Sequence, residues 1–225
     1  MRFDLIDYFQ KLNFIYSYFI KNDFSEEQMY KKILNDKSVV IDVGSNLGNF
    51  VNLVKKTNKS CFVHSIEPNK ELIINQKNKF KKYNNIKFHN FAINAVNGEC
   101  EFYIRKPHSH SSLNKEHPDA EFNEIISVEN VNTFTIESFL NEEQINEVTL
   151  LKLDSEGSDF DILTSCKKIL SLRKIKYIKM EATKKNLTSI MKFAEDNNLF
   201  VIGINNLFHY KNSLNMLDLY LENKN

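Results

Sequence analysis

SVVIDVGSNLGNF, residues 38–50, is the stretch that decides the fold. Val39, Val40, Ile41 and Val43 are β-branched and, apart from Asp42, uninterrupted, the pattern of a strand covered on both faces. The strand ends at Gly44, a small polar turn follows, and Gly48 precedes the helical spacing of Phe50, Val51 and Val54. Strand, glycine turn and helix in that order make the place where an open α/β sheet binds its ligand. Glycines four apart let the backbone pass close to a ligand, and the helix start offers free N–H groups.

The turn departs from the dinucleotide fingerprint G-x-G-x-x-G, because Gly44 and Gly48 are separated by three residues and Asp42 precedes the first. A carboxylate there would repel a pyrophosphate, which disfavours an NAD-dependent oxidoreductase. It suits a ligand that carries an ammonium group and no phosphate.

Outward from this turn the strand ends repeat one theme. Residues 61–66 (CFVHSI) predict a second strand ending at Glu67-Pro68-Asn69, and a helix follows to about Lys82. Ile86–His89 is a short third strand, Asn97-Gly98 a tight turn, and 101–104 another strand. Residues 105–130 carry Pro107, Pro118 and three histidines without a sustained period, and predict a long functional loop. Thr135 caps a helix through Leu140, Val148–Leu153 is a strand ending at Asp154, and 159–170 is a helix. Ile175–Met180 predicts a strand ending at Glu181, followed by a helix near 186–197, a strand over 199–204 and a last one within 208–222. Alternating strands and helices predict a mostly parallel sheet with ligands at the carboxyl ends of its strands. Asp42, Glu67, the Asn90–Ala92 turn, Asp154 and Glu181 all fall on that edge.

Before the core strand, residues 3–20 have an amphipathic helical spacing and Ser25-Glu-Glu-Gln28 is a capping box. Residues 1–36 are therefore expected as an N-terminal helical appendage, a cap or lid, on a domain spanning 37–225. With 42% hydrophobic residues the chain can bury a real core, and 30 basic against 29 acidic residues give a formal charge of +1. That balance leaves no broad footprint for nucleic acid. Cys61, Cys100 and Cys166 form no C-x-x-C pair, and no leader or membrane-spanning run is apparent, so a cytosolic location is expected.

In order and spacing, DVGSNLGNF (42–50), SIEPN (65–69), FAINAVNGECEFY (91–103), SSL (111–113), VNTFTIESFL (131–140) and LLKLDSEGSDFDIL (150–163) resemble the FkbM family of S-adenosylmethionine-dependent methyltransferases. The resemblance covers about residues 38–205 and implies a seven-stranded Rossmann-like α/β sheet of the class I kind. It further implies that Gly44, Asn46 and Gly48 wrap the methionine part of the cofactor. Asp42 would hold its ammonium directly or through water, Glu67 its ribose hydroxyls, and Ala92, with Asn90 beside it, would lie along its adenine. Asp154 would stand between cofactor and acceptor. Ser45 replaces the alanine more usual in the family.

The activity so implied is O-methylation of a sugar, glycan or other small hydroxyl compound. A base helps such a transfer by about 10²–10⁴-fold, and Asp154, Glu156 and Glu181 are the candidates, with Glu156 alternatively capping the next helix. His108, His110, Ser111 and Ser112 are expected to face the acceptor. His108 and His110 with His117 lack a further ligand at metal spacing, so no metal is expected. An RNA ribose methyltransferase and a non-catalytic scaffold that binds S-adenosylmethionine are the rival readings. After the fourth core strand the chain reads Leu153-Asp154-Ser155-Glu156-Gly157, which is not the (Asp/Asn)-Pro-Pro-aromatic run of base-flipping amino methylases.

Overall fold

The computed structural model describes residues 25–116, 124–210 and 213–225, with backbone alone at 207–210 and 213–215. The helix expected over 3–20, and His117, lie outside the described residues. At the centre of the fold β1 (Val39–Val43) pairs in parallel with β2 (Phe62–Ile66) on one side and β7 (Val148–Leu153) on the other. With β3 (Ile86–His89), β8 (Ile175–Thr183), β9 (Leu199–Tyr210) and β10 (Ser213–Asn223) they form a seven-stranded sheet ordered β3-β2-β1-β7-β8-β10-β9. Only β10 runs against the rest, antiparallel to both β8 and β9. A smaller sheet, ordered β4-β6-β5, combines β4 (Ala92–Ile93), β5 (Gly98–Lys106) and β6 (Glu124–Phe134).

The pleat of β1 divides the core. Ile41 and Val43 point to a cluster with α4 (Ile136–Glu142), α5 (Asp159–Ser165), α6 (Lys167–Ser171) and α7 (Leu187–Asp196). Val40 points to the other face, where it meets α1 (Glu26–Ile33) through Tyr30 and α2 (Asn49–Thr57) through Phe50, Val51 and Val54. Asp42 shares the face of Val40. The expected capping box opens α1, with Ser25 Oγ accepting from the Gln28 N–H at 3.3 Å. Among the described residues no helix is long and apolar enough to cross a membrane.

Three expectations change. Residues 105–130 are not one loop, since β5 and β6 pair from Gly98↔Thr133 to Lys106↔Glu124. Most of β6 is exposed, so it lacks the buried alternation that reveals a strand in sequence. The connection is ordered at its start by buried Arg105, whose guanidinium donates to the Tyr103, His110, Asn114 and Lys115 carbonyls and to Ser112 Oγ. The helix expected at 159–170 breaks at Cys166, whose N–H bonds the Leu163 carbonyl three residues back. Finally, β8 continues through Glu181 to Thr183, because β10 supplies a pairing partner, Asp218, opposite Glu181.

α1 is bound into the sheet by charge as well as by Tyr30. Glu26 Oε1 accepts from Tyr30 Oη (2.6 Å), Tyr220 Oη (2.9 Å) and Lys179 Nζ (2.8 Å), and Lys179 also pairs with Asp218 at 3.0 Å. Burial opposes ionisation of Glu26, but Lys179 and the two phenols bring its carboxyl below the usual value. Glu26→Ala is expected to lower the unfolding free energy by about 1.5–3 kcal/mol, measured by urea denaturation, with Asp218 retaining Lys179.

Candidate active site

The Gly44–Gly48 loop is fixed from three sides. The Gly44 and Ser45 N–H groups both donate to the Ile66 carbonyl, at 3.1 Å each. Gln76, buried in α3 (Lys70–Lys79), donates from Nε2 to Ser45 Oγ (2.8 Å) and the Asn46 carbonyl (2.7 Å). Its Oε1 accepts from Ser65 Oγ at 2.7 Å. Gly44 has φ +70°, and a Cβ there would collide with the Asp154 carbonyl. Gly48 has φ +71°, and its Cβ would lie 2.6 Å from the Phe80 ring. Both glycines are therefore demanded by the protein's own packing, in addition to any approach of a ligand.

Asp42 is fully buried and lines neither of the two openings described below; its Oδ1 accepts from Lys152 Nζ at 2.9 Å, while Oδ2 has no hydrogen-bond partner. Lys152, on β7 beside β1, also pairs with Asp154 Oδ2 at 3.0 Å and donates to the Gly44 carbonyl at 3.3 Å. Burial would lower the Lys152 pKa, but Asp154 and Asp42 raise it well above the ordinary lysine value, so the cation persists. In this arrangement Asp42 anchors the lysine that holds the loop. Lys152 was missed in the sequence, although a lysine inside LLKLD, an otherwise apolar strand, was the available signal.

Glu67 is 5% exposed and bridges the two turns, accepting from the Asn46 N–H (Oε2, 2.8 Å) and the Asn69 N–H (Oε1, 2.9 Å). Burial drives its pKa up to about 7, against the pull of those two N–H groups. Asn90 turns away from the cavity, its amide donating to the Glu67 (3.1 Å) and Pro68 (2.7 Å) carbonyls. Phe91 and Ala92 form the wall instead.

Two openings meet here. An apolar slot is lined by Ile66, Phe91, Ala92, Phe102 and Leu113, with Glu67 and Ser111 at its edge. A polar cleft of about 410 Å³ is lined by Glu26, Asn46, Asn49, Ser109, Lys152 and Lys179 among others. Gly44 and Asp154 line both. In the loop Ser111 reaches the slot, but Ser112 is buried and bonded to Arg105 and Asn114, which removes it from the acceptor-facing set. His110 contributes its carbonyl to Arg105, and Ser109 rather than His108 or His110 lines the cleft.

The acids beyond β7 differ in state. Glu156 has φ +54° in a left-handed turn with Gly157, and the N-cap of α5 is Ser158, so Glu156 is not the cap. Burial first, then Asp154, Glu181 and Asp159, push its pKa up to about 9. Asp159 accepts from Ser155 N and Oγ, and burial raises it to about 6.

A model of the methyltransferase FkbM domain matches residues 42–202, most of the chain. The chain belongs to this family. Its cofactor is accordingly S-adenosylmethionine. The residues fit that group: the apolar slot beside the Glu67 carboxylate suits an adenosine, and the buried, unpartnered Asn46 Oδ1 in the glycine loop is an acceptor for an ammonium. Among solved structures it is similar to the methyltransferase FkbM from Methylobacillus flagellatus KT (16% identity, TM-score 0.57, covering 85% of this chain and 47% of that one). It also resembles an rRNA methylase from Streptococcus thermophilus (10%, TM-score 0.51, 88% and 93%). A third is TrmK of M. capricolum in complex with S-adenosylhomocysteine (11%, TM-score 0.50, 89% and 69%). At these identities the likeness establishes the class I methyltransferase fold, and this chain spans about half the length of the FkbM structure it matches. A search of curated protein sequences gives no match.

Two outcomes follow. Lys152→Met should cost about 3–5 kcal/mol, since it leaves Asp42 buried beside no cation. Asp42→Asn in the same chain should recover part of that loss in a urea-denaturation cycle. For pH, burial holds the Glu156, Glu67 and Asp159 carboxyls above the usual carboxylate range, at about 9, 7 and 6. The folded state therefore binds the extra protons, and stability falls as pH rises through that window. Between pH 5 and 8 the unfolding free energy should decline, and Glu156→Gln should remove the part that persists above pH 7.

Proposed function

We propose that this family member methylates a hydroxyl of a sugar, glycan or other small polar acceptor, with Asp154 as the general base. The observation that carries this reading is the position of Asp154, which lines both the apolar slot and the polar cleft and whose side chain is 40% exposed. The cleft mixes carboxylate, carboxamide, hydroxyl and ammonium groups, a set that can bond hydroxyls as both donors and acceptors.

S-adenosylmethionine supplies an electrophilic methyl group on a sulfonium. The chain's own contribution is mostly positioning, which can be worth about 7–11 kcal/mol as effective molarity. Asn46 and Asn49 line the cleft, while Phe91, Ala92 and Leu113 form the apolar wall of the slot. With Asp154 Oδ2 held by Lys152, Oδ1 is the oxygen that takes the acceptor's proton. Burial and the neighbouring carboxylates push the Glu156 pKa up to about 9, which disfavours it as the base. Glu181, inside β8, adds charge to this cluster without lining either opening. The near-zero net charge favours a small acceptor over RNA. The three free cysteines fit a reducing compartment such as the cytosol.

Labelled-methyl transfer from S-adenosylmethionine should reach a nucleotide sugar, a glycan or a small phenol. Asp154→Asn should lower kcat about 10²–10⁴-fold, with cofactor affinity by calorimetry nearly unchanged. Transfer to RNA alone would establish the ribose reading, and binding without turnover on any acceptor would establish the scaffold reading.

A further inference from the structure

On the edge of the sheet away from Lys152, two imidazoles and a carboxylate converge. His64 on β2 and His89 on β3 face each other with Nδ1 and Nε2 3.0 Å apart; with both neutral rings carrying their proton on the outer nitrogen, the two lone pairs converge on one position. Glu143, the C-cap residue of α4, brings Oε2 to 3.9 Å from His64 Nδ1. All three donor atoms lie within 4.8 Å of one another. We propose that His64, His89 and Glu143 form a zinc site that ties β2, β3 and the end of α4 together.

The donor chemistry and the distances both fit. Two histidines and one carboxylate with a water in the fourth position is a known zinc ligand set, and bonds of about 2.0–2.1 Å put tetrahedral ligand atoms roughly 3.3 Å apart. The observed 3.0 and 3.9 Å separations bracket that value, so the first must widen slightly and the second close by roughly half an ångström as the ion enters. The ligands come from three different elements, 25 and 54 residues apart, held by backbone that is already regular. Phe62, Phe91 and Phe139 pack around the imidazoles with ring centroids 5.1–5.5 Å away, a low-dielectric wall that strengthens an ion's attraction for its ligands.

Lys87 is the competitor, with Nζ 2.7 Å from the same Glu143 Oε2. Its side chain is half exposed, so it can release that oxygen to solvent or move to Oε1 as zinc enters. The purpose such a clip would serve is visible in the topology. β3 is a four-residue edge strand paired only with β2, and the residues after it, Phe91 and Ala92, wall the apolar slot. His64, His89 and Glu143 line neither opening, so the proposal stands independently of the methyl-transfer reading.

Zinc alone, titrated into the chelator-treated full chain, should bind at one equivalent by calorimetry and raise Tm. Cobalt in its place should give tetrahedral d–d bands without a thiolate charge-transfer band. His89→Ala and Glu143→Gln should each weaken zinc binding by at least about 10-fold, whereas Lys87→Ala, which frees Glu143, should tighten it. Circular dichroism of the metal-free variants checks the fold, and Lys87→Ala, at an exposed edge position, keeps the test valid should His89→Ala fail to fold. Absence of stoichiometric zinc binding would overturn the proposal. So would binding that survives Glu143→Gln, is insensitive to Lys87→Ala, or is abolished by His108→Ala.

Discussion

The Lys152 ammonium is the cation on which the carboxyl edge of the sheet depends. It lies between Asp42 and Asp154, at 2.9 and 3.0 Å, and reaches the Gly44 carbonyl. Without it the buried Asp42 carboxylate and the Asp154 carboxylate at the end of the neighbouring strand would repel each other. A buried ion pair of this kind is a poor source of net stability, because desolvation costs as much as attraction returns. What it fixes is geometry: the height of the glycine loop against β7, and the direction of the Asp154 carboxylate.

Gly44 follows from the same arrangement. The loop passes so close to the Asp154 backbone that no side chain fits. Gln76 and Glu67 complete the clamp from the other side: Gln76 bonds to the loop and to Ser65 of β2, and Glu67 to the loop and to the Asn69 N–H that precedes α3. The loop is thus shaped by protein contacts before any ligand arrives, which is the condition for positioning to contribute to rate.

Acids that look alike at the strand ends have been given different states by their surroundings. Asp42 is sealed and paired, Glu67 is a bridge between turns, Glu156 is desolvated among like charges that push its pKa up, and Asp154 alone is ion-paired and open to both cavities. A second charged cluster, Glu26 with Lys179 and Asp218, carries α1 to the rim of the polar cleft. The helix expected as part of an appendage is therefore part of the cleft wall.

Residues 38–50 with the alternating strands and helices were enough to determine the α/β class and a mostly parallel sheet, and the further motifs through 150–163 the family, because buried strands and glycine turns are written in local residue types. Thr135 as a cap and Ser25 opening α1 were equally local. The β5–β6 hairpin was not, since β6 is exposed and its pairing depends on a partner about 30 residues away. Nor were the Lys152–Asp42 pair, 110 residues apart, the Arg105 bonds that order the loop, or the meeting of His64, His89 and Glu143. The sequence by itself determined which groups stand at the edge of the sheet. Only the tertiary structure decided which of them are paired, protonated or exposed, because burial and charge proximity are properties of the space between elements.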